Sequence, residues 1–120
     1  MLLTIWFNLN LVYWTAWYAS KAVLAGLLRI PNVPGGVYDE CARRWSREMI
    51  RAARVPVRVE GFQHVPPQGK PVVFASNHQS WFDIFLLCTV LPTQVRFVAK
   101  RELRRVPILG RAMQSAGHIF

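Results

Sequence analysis

The predicted fold is decided by PVVFASNHQSWFDIFLL, residues 71–87, where an apolar run passes through a short polar turn into a second apolar stretch. Residues 71–75 form a continuous apolar run, which is typical of a buried central strand. Residues 81–90 are predicted to form a helix. In α/β sheets, reacting groups gather where a strand ends and the next element begins. The polar residues 76–80 and the start of the helix are therefore the expected place for chemistry.

Strand and helix patterns alternate on both sides of this stretch. Residues 55–60 alternate valine with Pro56, Arg58 and Glu60, which predicts a half-buried edge strand because proline cannot donate to a ladder. A turn at residues 64–70 precedes the central strand. A strand at 95–99, a short helix at 107–115 and the beginning of a strand at 117–120 follow it. This order predicts an α/β fold over residues 55–120, a mixed sheet with flanking helices.

Residues 1–54 are predicted to form a separate membrane-associating segment of two helices. The first 20 residues contain no charged side chain, and as a helix they would reach about 30 Å, the thickness of a bilayer core. Asn8 and Asn10 weaken a spanning interpretation, whereas Trp6 and Trp17 are of the type that settles at headgroup depth. A span and a helix lying in one leaflet both stay open. If the helix spans, the basic residues after it place the remainder of the chain on the cytoplasmic side.

The second helix is predicted over residues 37–53, after a break marked by prolines and glycines at 31–36. One face carries an apolar residue at every fourth position, and much of the rest is basic: Arg43, Arg44, Arg47, Arg51 and Arg54. Two interpretations stay open. The arginines form either a solvated face on a core-packed helix or a surface that binds anionic lipid, where each is worth about 1 kcal/mol.

Composition supports a membrane surface over the other classes. Hydrophobic residues make up 52% of the chain, and Lys and Arg outnumber Asp and Glu by 15 to 6. A nucleic-acid binder fits the charge but not the apolar beginning, so we expect no nucleic-acid partner. Cys41 and Cys88 lack disulfide or zinc spacing and are expected to be small buried hydrophobes.

His78 is the natural general base of the polar turn, because its unperturbed pKa lies near neutral pH. A carboxylate on its other ring nitrogen would supply the correct tautomer, and Asp83 is the candidate. The two side chains can meet only if His78 lies in the turn before the helix and Asp83 in its first turn. Ser80 followed three residues later by Asp83 also fits a capping pattern, so Asp83 has a purely structural alternative.

Asn77-His78-x4-Asp83 after an apolar strand resembles the first signature block of the glycerolipid acyltransferases, in particular the 1-acylglycerol-3-phosphate acyltransferase group. A second resemblance runs through FVAKREL at 97–103, then Pro107, Gly110 and GHIF at 117–120. The resemblance implies that His78 is the general base for the acceptor hydroxyl and that Asp83 orients it. It further implies that Asn77 and Lys100 bind substrate, Lys100 at the acceptor phosphate.

The same resemblance implies direct attack on an acyl thioester, without an acyl-enzyme and without a metal or redox cofactor. The expected partners are membrane lipids, lysophosphatidate as acceptor, and acyl-CoA or acyl-carrier protein as donor, with phosphatidate as product. Alternatives are a glycerol 3-phosphate or other lysolipid acyltransferase, or a noncatalytic basic membrane-surface module. The family's later Glu-Gly-Thr-Arg block is not found, so residues 55–120 are expected to be a truncated N-terminal portion, inactive alone.

A second basic cluster suits an anionic headgroup: Arg96, Lys100, Arg101, Arg104, Arg105 and Arg111.

Overall fold

The computed structural model describes residues 1–67 and 69–120. It contains the helices α1 (Leu2–Leu27), α2 (Val37–Ala53), α3 (Phe82–Val90) and α4 (Leu109–Ser115), with 3₁₀ turns at Phe62–His64 and Arg101–Arg105. Helix α2 packs against α1 and α3, and α1 also packs against α4. Gln68, inside the turn predicted at 64–70, lies outside the described residues.

The core between α1, α2 and α4 is built from small residues. Ala19, Ala22 and Ala25 recur at every third position of α1, so they share one face, and they are buried against Tyr38 and Ala112. Their short side chains let the helices approach closely. The Tyr38 hydroxyl donates to the carbonyl of Ile30 at 3.2 Å, which satisfies its polar end.

The predicted break and the predicted bounds of the second helix are confirmed. Helix α1 ends at Leu27, and α2 runs from Val37 to Ala53. On the predicted apolar face of α2, Cys41 and Met49 are buried. Trp45 lies on the same face, and its indole nitrogen donates to the Thr15 hydroxyl of α1 at 3.0 Å. The apolar face of α2 therefore packs in the core.

The N-terminal half of α1 has a different environment from its C-terminal half. Many of its large apolar side chains are exposed, among them Leu2, Ile5, Trp6, Leu9 and Val12, whereas Phe7 is half-buried. None of the helices in residues 1–67 and 69–120 combines the length and the apolar character needed to cross a membrane.

The predicted mixed sheet is wrong. Within the described residues the structure is helical and contains no sheet. The segments predicted as an edge strand at 55–60 and a central strand at 71–75 are irregular and exposed, and the side chain of Val73 is 93% exposed. Apolar alternation creates a surface that suits a sheet, but a strand forms only where a neighbouring segment supplies its N–H and C=O partners. The described chain provides no such neighbour for residues 71–75.

A single parallel bridge is what forms between the strands predicted at 95–99 and 117–120. It pairs Val98 with Ile119. The Ala99 N–H donates to the Ile119 carbonyl at 2.8 Å, and the Ile119 N–H donates to the Phe97 carbonyl at 3.0 Å. The two segments meet as neighbours, but over too few residues to form a ladder.

The two short helices begin slightly later than predicted. Helix α3 begins at Phe82 instead of residue 81, and α4 begins at Leu109 instead of residue 107. Ile108, directly before α4, has a φ of 61°, a conformation that β-branched residues rarely adopt. The backbone therefore turns sharply there before the helix can start.

Candidate active site

The polar turn before α3 is organised around one carboxylate oxygen. Asp83 Oδ2 accepts the backbone N–H of Gln79 at 2.7 Å and that of Ser80 at 2.9 Å. The Ser80 hydroxyl accepts the N–H of Phe82 at 3.2 Å. These bonds satisfy backbone donors that have no partner inside the helix. The turn is thus closed by its own side chains.

His78 reaches the same oxygen. Its Nδ1 lies 3.0 Å from Asp83 Oδ2, with His78 in the turn and Asp83 in the first turn of α3. The prediction that the two side chains meet across the start of the helix is confirmed. An ionised carboxylate can only accept, so Nδ1 carries the proton in this contact. The tautomer that results leaves Nε2 unprotonated, which is what a general base requires.

Asp83 is held in its ionised form. The N–H groups of Ser80 and Gln79, followed by His78, hold the pKa of this carboxyl below its usual value. Hydrogen bonds to the charged form are the cause, since they favour ionisation. At neutral pH the carboxylate is therefore available to orient the imidazole and to stabilise its positive charge.

The sequence left two interpretations of Asp83 as alternatives, and the contacts expected from each are present together in the structure. The bond from the Ser80 N–H is the backward half of a capping box, and the contact with His78 uses the same Oδ2 atom. Asp83 is thus both a cap and an imidazole partner. A catalytic role for the pair is a separate matter and stays a prediction.

An aromatic series fixes the start of α3 to the rest of the protein. Phe82 stacks on Phe7 of α1 with ring centres 5.7 Å apart, and it meets Phe85 edge-on at 5.6 Å. Phe85 meets Trp45 of α2 edge-on at 5.0 Å. The residue directly before Asp83 is therefore in contact with both the first and, through Phe85, the second helix.

The two residues expected to bind substrate are both exposed, and they adjoin different elements of the fold. Asn77 adjoins His78, whereas Lys100 directly precedes the 3₁₀ turn Arg101–Arg105, which packs on α4. In the part of the chain that the structure describes, no hydrogen bond or ion pair joins Lys100 to the histidine pair. The arginines of the second basic cluster are all exposed too.

Two polar residues have roles that the sequence analysis missed. Arg43, expected among the exposed arginines of α2, is mostly buried in an ion pair with Asp39. His118 accepts the N–H of Phe97 on Nδ1 at 2.9 Å. Burial, helped by the nearby Arg96, lowers the pKa of His118. The sequence signal for Arg43 was Pro92: proline has no N–H, so the carbonyl of Cys88, four residues earlier, lacks its usual helical donor. The cysteines are buried as expected, and burial raises the pKa of Cys88 to about 11.

The described residues contain no group of three or more His, Cys, Asp or Glu side chains that could hold a metal ion. The imidazole and carboxylate by themselves are a pair suited to general-base chemistry on a hydroxyl. Enzymes that move an acyl group onto an alcohol use chemistry of this class.

Comparison with known proteins agrees with that class. The chain belongs to the acyltransferase family, whose model matches residues 56–120. It is similar to a 1-acyl-sn-glycerol-3-phosphate acyltransferase of Neisseria meningitidis, 32% identical over 71% of this chain and 34% of that protein. It is also similar to a lyso-ornithine lipid O-acyltransferase of Pseudomonas aeruginosa, 36% identical over 88% of this chain and 36% of that protein.

A human relative, 1-acyl-sn-glycerol-3-phosphate acyltransferase alpha, is 42% identical over 55% of this chain and 23% of that protein. The chain spans about a third of the length of the first relatives it matches. No solved structure matches it.

Proposed function

We propose that this chain carries the base of an enzyme that transfers an acyl group from a thioester to the free hydroxyl of lysophosphatidate, giving phosphatidate. The observation that supports this is the 3.0 Å contact between His78 Nδ1 and Asp83 Oδ2 in a member of the acyltransferase family. The acceptor follows from the names of several relatives, which are 1-acyl-sn-glycerol-3-phosphate acyltransferases.

We propose that the transfer is direct, from the thioester to the hydroxyl. Nε2 of His78 takes the proton of the acceptor hydroxyl while the oxygen attacks the thioester carbonyl. Asp83 stabilises the imidazolium that forms. When the carbonyl is restored, the C–S bond breaks and the thiolate takes the proton from His78. The products are an ester and a free thiol, and the donor is acyl-CoA or acyl-carrier protein.

Lys100 and Asn77 are proposed to hold the acceptor. The Lys100 ammonium suits a phosphate monoester because it is an exposed cation beside further arginines. Asn77 adjoins the base and can hydrogen-bond a polar group near the reacting hydroxyl. Neither requires a metal or redox cofactor.

Acylation of a lyso-ornithine lipid is the second candidate, because the Pseudomonas relative matches 88% of this chain. The two acceptors differ in the phosphate that Lys100 is proposed to bind. The test measures transfer from acyl-CoA and from acyl-carrier protein, by the full natural protein, to lysophosphatidate, lyso-ornithine lipid and glycerol 3-phosphate. We expect lysophosphatidate to give the highest kcat/KM, and Lys100→Gln to raise its KM about tenfold.

Lys70→Gln is the matched control, since Lys70 is an exposed lysine to which the proposal assigns no part in binding the acceptor. A preference for the ornithine lipid would overturn the proposed acceptor but not the chemistry. Absence of transfer to every acceptor from both thioester donors would overturn both.

We also propose that the enzyme works at the membrane surface of the cytoplasmic leaflet. The exposed apolar half of α1 and the exposed Arg44, Arg47 and Arg51 of α2 support this. Apolar side chains and cations together favour an anionic lipid surface, which the cytoplasmic leaflet provides.

A further inference from the structure

We propose that Arg43 is a positioning residue for the candidate site: it clamps the C-terminal end of α3 and so fixes where the other end places His78 and Asp83. The part of this inference that concerns rate rests on the proposed function. The effect of Arg43 on the position of α3 is independent of the proposed function.

One carbonyl at the end of α3 lacks its usual helical donor. The last helical bond runs from the Leu91 N–H to the Leu87 carbonyl at 3.1 Å. The next would run from residue 92 to the carbonyl of Cys88, but residue 92 is proline and has no N–H. Cys88 is buried, so water is a poor substitute as donor.

Arg43 of α2 supplies the missing donor. Its Nη2 donates to the Thr93 carbonyl at 2.8 Å, and its Nη1 lies 3.4 Å from the Cys88 carbonyl. One guanidinium therefore bridges the last turn of α3 and the chain that leaves it. A cation at this end also interacts favourably with the helix dipole.

Arg43 is itself held in place from the other side. Its Nε donates to Asp39 Oδ1 at 3.0 Å, and Asp39 Oδ2 accepts the N–H of Gly35 at 3.2 Å. The side chains of Arg43 and Asp39 are only 20% and 10% exposed. The clamp thus connects the loop before α2, the helix α2 itself and the end of α3. Because both side chains are mostly buried, water screens their ion pair little.

Helix α3 transmits this restraint to the candidate site. It has nine residues, which makes a rod of about 13 Å. Phe85 and Cys88 are buried along it, and Asp83 lies in its first turn. A tilt at the clamped end therefore moves the turn that holds His78. Displacement of a reacting group by about 1 Å can lower a rate about 100-fold.

The test uses the full natural protein with Arg43→Met and Arg43→Lys, and with Arg44→Met as the control for hydrogen exchange. Arg44 is the next residue of α2 but is exposed and paired only with Glu40 among the bonds described. NMR hydrogen exchange follows the N–H groups of Gln79 and Ser80, at the far end of α3 from the clamp. We expect Arg43→Met to speed their exchange about tenfold, Arg43→Lys to do so less, and Arg44→Met to leave it unchanged.

Kinetics give the second readout, measured well below the Tm of the weakest variant. We expect Arg43→Met to lower kcat about 10- to 100-fold with little change in acceptor KM, because the base is displaced while acceptor binding is kept. Arg43→Lys should recover part of kcat, since an ammonium can reach one of the two carbonyls.

The outcomes are separable. Faster exchange confined to Thr93 and its neighbours, with Gln79 and Ser80 as in the natural protein, would show a local role and overturn the proposal. If Arg43→Met fails to fold, Arg43→Lys decides by the same two readouts. If the natural protein itself transfers no acyl group, the proposed function fails, and hydrogen exchange alone still decides whether the clamp acts on the distant turn.

Discussion

Replacing Asp83 by Asn tests the candidate site most directly, because it removes a charge while keeping the shape. Three donors in the turn converge on one oxygen, Oδ2, which accepts from His78, Gln79 and Ser80. In the variant, the amide oxygen must stay in that position. A flipped amide would point N–H groups at the two backbone donors and leave them unsatisfied. The tautomer of His78 is therefore retained, and what is lost is the charge that stabilises the imidazolium.

This geometry limits the expected loss of rate. A change that inverts the tautomer of a catalytic histidine costs up to about 10⁴-fold. Because the backbone donors prevent that inversion here, we expect Asp83→Asn to lower kcat about 100-fold. His78→Ala removes the base itself and should cost more, within the range of about 10²- to 10⁴-fold typical of general-base catalysis.

The assay is acylation of lysophosphatidate by the full natural protein, with phosphatidate quantified by mass spectrometry and Tm measured in parallel. Ser80→Ala is the control, because it removes the hydroxyl that accepts the Phe82 N–H but leaves the histidine pair. It should lower Tm and leave kcat near normal. If Asp83→Asn behaves like Ser80→Ala, with a lowered Tm and a normal kcat, Asp83 is only a cap and its proposed partnership with His78 is wrong.

Two further predictions concern other parts of the protein. Burial lowers the pKa of His118, so folding favours its neutral form. Stability should therefore fall as the pH drops below the ordinary histidine pKa of about 6.5. When Tm is measured from pH 8 to pH 5, His118→Gln should flatten this dependence, and His64→Gln, at an exposed position, should not. Changing Arg44, Arg47 and Arg51 together to Gln should weaken binding to anionic vesicles between about 5- and 150-fold. The lower figure applies if Arg44 and Arg51 contribute little, because both already form ion pairs with glutamates. Equal binding by this variant and the natural protein at low salt would contradict the proposed lipid surface, and salt should weaken binding of the natural protein.

Local patterns in the sequence were sufficient for the helices. The bounds of α2 follow from its apolar face and the glycines before it, and the meeting of His78 with Asp83 follows from their positions on either side of a helix start. Both depend on residues within one or two turns of each other. For that reason neither needed knowledge of the remaining chain.

The sheet failed because it depends on partners distant in sequence. Val73 has the apolar neighbours of a buried strand yet is exposed, since nothing in its own segment can supply a ladder. The prediction that Arg43 is exposed was wrong for a related reason. Its spacing from the other arginines placed it on a basic surface, but its position beside carbonyls 45 and 50 residues away buries it. Charge patterns reveal which side chains are basic, not which of them the fold encloses.

The divided character of α1 has a practical consequence for producing this protein. Its exposed apolar half would be the first target for removal by anyone seeking a sample that stays dispersed without detergent. Removing the whole helix would, however, uncover Tyr38 and Ala112 by deleting the alanines packed on them, and would delete the Thr15 hydroxyl to which Trp45 donates. Even a cut after Phe7 would strip the ring stacked on Phe82. Only residues 1–6 can be trimmed without touching these contacts, so detergent or added lipid is the better remedy than truncation.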